Sequence, residues 1–289
     1  MTQMESLGSR VREASFPDLG LINAAGSITE DGVLSTGITA NVLDLSAGGS
    51  ITVDTTAISL TATTSAAGGI DIDQTGAITL TSVITHNGSI TVDAGGDLIA
   101  TSLSTANTNS DANDIALATS VGGIQVGSLD AGTLGDVQLN SAAAVTDDSS
   151  DATVVTADSL QVTAQGAVSV DTAVNSLTVT TSLAGLVDID EADAIVLTSI
   201  QSHDGSITID AAGTITATSL NSATTDDGTN DITLTTNSGN IAVGSINAGG
   251  QNDVSLDSAG AITEDGLSST TLKADLLTPT AAGAITLDT

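Results

Sequence analysis

Residues 88–103, GSITVDAGGDLIATSL, return at 205–220 as GSITIDAAGTITATSL, 117 residues further on. The same displacement carries GGIQVGSLDAG (122–132) onto GNIAVGSINAG (239–249), and GSITED (26–31) onto AAVTDD (143–148) and then the AITED of 261–265. Asp54, Asp171 and Asp288 are one position in three copies. The register holds from about residue 24 to the last residue, which marks a tandem duplication and a repeat architecture.

Within each long period run shorter phrases of the form Gly-x-Ile-Thr-Val/Leu-Asp/Thr, among them GSITVD (49–54), GAITLT (76–81), GAVSVD (166–171), GLVDID (185–190) and NDITLT (230–235). Aliphatic residues alternate with Thr, Ser or Asp, the period of a strand buried on one face. Ile, Val and Thr suit strands, and Gly, Asn and Asp supply the turns between them. No segment carries a sustained helical period.

Phrase starts lie roughly 8–13 residues apart, a spacing open to a β-sandwich or a β-solenoid. The chain has no Trp, Tyr or Cys and a single Phe, Phe16. Two sheets facing each other across about 10 Å need larger side chains than these to fill the gap. Small aliphatics can instead stack on their like in successive coils, each coil touching only its neighbours. The reading is an all-β chain, a parallel and right-handed β-helix (β-solenoid) with coils of about 20 residues. The spacing allows two or three strands per coil. With a rise of about 4.8 Å per coil, a dozen coils would project roughly 60 Å.

Two regions are expected: residues 1–20, a non-repetitive leader that is either disordered or a vector remnant, and the repeat region 21–289. The repeat starts in mid-unit and stops at GAITLDT (283–289) without a polar cap, so it reads as a piece of a longer array.

The formal net charge of −32, against three cations (Arg10, Arg12, Lys273), excludes a nucleic-acid surface and disfavours anionic membranes. No apolar run reaches the roughly 18 residues of a membrane span, and the N-terminus has no signal-peptide core. Without cysteine there are no disulfides and no thiolate metal sites. Hydrophobic residues make up 40% of the chain, too many for a disordered polyanion.

His86 and His203 share one repeat position in turn-like HNGS and HDGS contexts, and read as surface residues. Asp93 with Asp210, Asp71 and Asp73 with Asp188 and Asp190, and Asp136 with Asp253 recur. Pairs of carboxylates can serve acid–base chemistry or bind calcium. Asp71 and Asp73 alternate with Ile70 and Ile72, however, and are more simply outward strand residues. GGIDID (68–73) lacks the second glycine of the calcium-binding nonapeptide. The polar stretches 104–114 and 221–231 are the longest turns of each copy and are expected to be solvated loops, with ligand binding as the alternative. Thr61/Thr63, Thr79/Thr81, Thr178/Thr180 and Thr233/Thr235 do not recur every coil, which weighs against an ice-binding surface. There is no phosphate loop, nucleophile elbow or His-Glu metal motif, so no catalytic, cofactor or metal residue is assigned and no enzyme is expected.

The phrases GSITVDAGG, GNIAVGSINAGG and DVSLDSAGAITEDG resemble the β-strand repeats of giant bacterial exoproteins, including filamentous-haemagglutinin-like adhesins of two-partner secretion. The resemblance covers residues 21–289. It implies an elongated stalk or adhesive fibre at the cell surface, extracellular and facing a host or matrix surface as partner. This sequence has neither the amino-terminal secretion domain nor the Asn-Pro-Asn motif of that family. Alternatives are a calcium- or glycan-binding solenoid module and end-to-end association through uncapped coils.

Overall fold

A computed structural model of the chain describes residues 2–6, 9–11, 14–30, 37–150, 154–224, 226–266 and 270–287. Every regular element is a β-strand, with no helix among the described residues, and the pairings are parallel in a solenoid of about 12 turns. Contacts divide the chain into two compact units: residues 1–142 with 148–158, and residues 143–147 with 159–289.

In the first unit the first inward residues of the phrases fall in columns, alternate phrases sharing one. Ile28, Ile51, Ile70, Ile90, Ile115 and Val137 are successive partners in register, each at most 1% exposed. Their spacing sets coils of 19–25 residues. Val53, Ile72, Val92, Leu117 and Leu139 form the adjoining column. An interior of this kind is dry and close-packed, and each fully buried aliphatic contributes about 1.5–3 kcal/mol.

The coil that starts at Ile90 has two hydrogen-bonded strands but three walls. The strand Ile90–Ala94 has inward residues at alternate positions. In the following strand, Leu98–Ser104, the inward residues are Leu98, Ala100 and then Leu103. Two consecutive outward residues, Thr101 and Ser102, bend the strand so that Leu103 turns back to the core. The second unit separates the two limbs: Ile241–Val243 pairs with Ile262–Glu264, whereas Ser245–Asn247 pairs with Thr271–Lys273. The choice between two and three strands left by the spacing is thereby resolved by the bend.

The second unit has its own columns. Val145, Val168, Val187, Ile207, Ile232, Val254 and Leu277 form one. Ile195, Ile215, Ile241, Ile262 and Ile285 form another. Val168 and Ile285 are one position of the 117-residue period, yet they stand in different columns. Leu277, five coils on from Val168, is 109 residues away, and Ile285 lies 8 residues further, on the next wall. The long period is therefore five coils plus one wall. Like stacks on like between neighbouring phrases, not between copies of the period.

The leader, expected to be loose, is strand in its described residues. Thr2–Ser6 pairs with Gly20–Ala24, Ser9–Val11 with Ile28–Glu30, and Ala14–Ala24 with Ile38–Ala47. Backbone pairing does not require the repeat motif. Phe16, Ile22 and Ala24 supply the inward side chains, and a Cβ on Gly20 would stand 2.7 Å from the Phe16 ring.

Between the two strands of a coil the chain turns hard against the coil before it. A Cβ on Gly96 would lie 2.6 Å from the Ala77 nitrogen, and one on Gly213 would lie 2.7 Å from the Ala194 nitrogen. These glycines are one position in two copies. Gly96→Ala or Gly213→Ala is expected to cost about 1–3 kcal/mol by forcing coils apart, read as a lower denaturation midpoint. Thr91→Ala, on an outer wall, is expected to change stability by less than about 0.5 kcal/mol.

Candidate functional site

The outward positions of the five-residue strands bring carboxylates together. Asp54, Asp73 and Asp93 are register partners on three successive coils, with Asp71 between Thr52 and Thr91 two residues back. In the second unit Asp171, Asp190 and Asp210 form the equivalent ladder. Adjacent coils are about 4.8 Å apart, close enough for like charges to repel. Partial burial, then Asp93 and Asp54, raises the Asp71 carboxyl above its ordinary 3.8. Asp73 is raised by burial, then by Asp71, Asp54 and Asp93. Asp188 is raised by burial, then by Asp210 and Asp147.

The first ladder forms one wall of an open groove of about 690 Å³ that crosses several coils. Thr39, Thr56 and Thr75 line the same groove, and Thr56 donates to the Thr75 hydroxyl at 3.3 Å. The lining has no cation and no aromatic residue. Its chemistry is that of acceptors and hydroxyls, suited to hydrated cations or polyols. Among the described residues, no three His, Asp or Glu side chains converge on a point where they could hold a metal ion.

The remaining candidates do structural work. Asp71 and Asp73 are exposed, as their alternation with Ile70 and Ile72 indicated. His86 lies on an exposed turn, its Nδ1 2.6 Å from the Asn107 amide nitrogen and its backbone N–H donating to the Thr64 hydroxyl at 3.1 Å. The His203 N–H donates to the Thr181 hydroxyl at 2.9 Å in the same way. The backbone N–H of Asp136 donates to Asp114, and that of Asp253 to Asp231. The Asp253 carboxylate in turn accepts from the Leu276 N–H at 3.2 Å. Among the threonine pairs, the row through Thr79 continues as Ile99 and Gln125 rather than as threonine.

The polar stretches are docked loops. Asn113 and Asn230 are each 1% exposed. The Asn113 amide donates to the Thr108 carbonyl at 2.5 Å, and the Asn230 N–H to the Asn252 side chain at 2.9 Å. Asn109 binds the next coil's loop through the Leu134 N–H and the Thr133 hydroxyl. Asp226, its equivalent, accepts the N–H groups of Gly250 and Gln251, which hold its carboxyl below the ordinary range, with Lys273 a further cause. These side chains pin loop to stack. Composition gave no sign of it, because Asn and Asp are equally common in free turns.

Gln74 also went unassigned from sequence. It is an inward residue, 5% exposed, in a column otherwise made of small side chains. Its Oε1 accepts from the Thr55 hydroxyl at 2.7 Å and the Ala57 N–H at 3.1 Å. Its Nε2 donates to the Ala57 and Ala77 carbonyls. The amide is fully used. Its equivalent in the second copy is Glu191.

The raised carboxyls give pH dependence a definite sign. A group whose folded value lies above its unfolded one contributes stability that is complete below the unfolded value and lost as pH rises through the folded value. Asp71, Asp73 and Asp188 all belong to this class. The melting temperature is expected to rise as pH is lowered from neutral toward the ordinary carboxyl value of 3.8. Asp73→Asn should gain about 0.5 kcal/mol at the upper end of that range. A melting temperature that falls on acidification would contradict the assignment.

No family model, curated protein or solved structure matches the chain.

Proposed function

We propose that this chain is a structural repeat segment of an extracellular or cell-surface protein of adhesin type, acting as a rigid spacer without catalytic chemistry of its own. The observation that carries this reading is the unbroken coil-to-coil ladder within each unit, with aliphatic columns in register beneath it. Such a wall resists shear because many backbone hydrogen bonds must break together. The likeness of its phrases to exoprotein repeats points the same way. An acidic outer surface keeps a long stack of strands soluble and discourages lateral pairing.

A second reading, a cation- or glycan-binding module, is favoured by the carboxylate-and-hydroxyl groove between Thr39 and Ser120. Thermal melting during calcium titration separates the two. The spacer reading expects a shift of no more than a degree or two at millimolar calcium, and no retention on immobilised acidic or neutral glycans. A ligand present at about 100 times its Kd stabilises by about 2.7 kcal/mol, which a melt detects easily. A large calcium-dependent rise, abolished by Asp73→Asn with Asp93→Asn, would replace the spacer reading with the module.

A further inference from the structure

The two copies of the long period place different side chains in the same buried pocket. Glu191 is 4% exposed, and its carboxyl takes the place of the Gln74 amide. Three groups donate to it: the Thr172 hydroxyl at 2.8 Å, the Val174 N–H at 3.3 Å to each oxygen, and the Asp193 N–H at 3.2 Å. Thr172 and Val174 are the equivalents of Thr55 and Ala57, so the acceptor half of the glutamine arrangement is reproduced. The donor half is not. Gln74 gives two protons to the carbonyls of Ala57 and Ala77, and an ionised carboxylate has none to give.

We propose that Glu191 is a protonation-dependent latch that holds the turn after the strand Val187–Glu191 closed when neutral and releases it when ionised. The neutral acid has one proton with which to do part of what the Gln74 amide does, and it avoids burying a net charge among acids. Burial pushes the carboxyl up to about 7, against the pull of Thr172, Asp193 and Val174, and the Asp193 side chain adds to the rise. The ionisable neighbours are all acids. Asp193 is in the turn itself, Asp171 is on the strand before, Asp188 and Asp190 are on its own strand, and Asp210 is on the strand after. Neither those strands nor Ile195–Gln201 carries Lys, Arg or His, so an ionised Glu191 has its three donors but no cation from these strands to offset the charge. The latch is closed below the unfolded carboxyl's ordinary 4.5 and opens as pH rises through about 7.

Hydrogen exchange on the full chain tests this, with rates expressed as protection factors so that base catalysis of exchange cancels. In the wild type, protection of amides in 172–195 should fall about tenfold between pH about 5.5 and about 8.5. Glu191→Gln should hold it within about twofold, and the reciprocal Gln74→Glu should confer a similar fall on 55–77. Infrared difference spectra of wild type against Glu191→Gln should show a protonated carboxyl band at pH about 6 that vanishes on alkalinisation. An undiminished pH effect in Glu191→Gln, or the lack of that band, would overturn the latch.

Discussion

Everything in this molecule depends on the parallel backbone ladder from one coil to the next. A strand such as Ile90–Ala94 has no hydrogen-bonding partner within its own coil. Its N–H and C=O groups are satisfied by the coil before and the coil after. The side chains beneath obey the same register, so Ile70, Ile90 and Ile115 meet because their backbones are paired. Ladder and column are one constraint, and neither can slip by a residue without turning the aliphatic set outward. The close approach at Gly96 and Gly213 follows from it, since a turn between paired strands must lie on the turn below.

The acidity of the chain then has to be carried on whatever the ladder leaves outside. Some carboxylates face one another at coil spacing, as in Asp54, Asp73 and Asp93, where burial and then the neighbouring carboxylates hold the Asp73 carboxyl above its ordinary value. Others are absorbed as acceptors for backbone N–H groups of the next coil: Asp114 toward Asp136, Asp231 toward Asp253, Asp226 toward Gly250 and Gln251. The second use resembles helix capping carried into a solenoid. A short acceptor side chain reaches an amide that the turn has left unpaired. The recurrence of Asp and Asn at turns is thus tied to stability as well as to solubility.

Much of the fold was legible from sequence because Gly-x-Ile-Thr-Val-Asp encodes three things at once: a close turn, an alternation and a β-branched inward face. The outward placement of Asp71 and Asp73 followed directly from Ile70 and Ile72. The third wall was hidden, because Thr101-Ser102 looks like ordinary strand continuation and only the position of Leu103 shows a bend. The docking of 104–114 and 221–231 was hidden as well, since it rests on single side chains such as Asn113 and Asp226 meeting another coil. Gln74 and Glu191 stood at an inward position of the pattern, and a polar residue at such a position was the available signal. The groove was not legible at all, because it depends on which coils lie side by side.

The mismatch between sequence period and coil has a consequence for how such a chain can diversify. Duplication copies a stretch of residues, but it does not copy their surroundings. Val168 packs between Val145 and Val187, whereas Ile285, its counterpart, follows Ile262 on another wall. Inherited residues therefore arrive among unfamiliar neighbours and are free to drift apart. Within the second unit a feature present once per period thus moves on by one wall, as the step from Val168 to Ile285 shows.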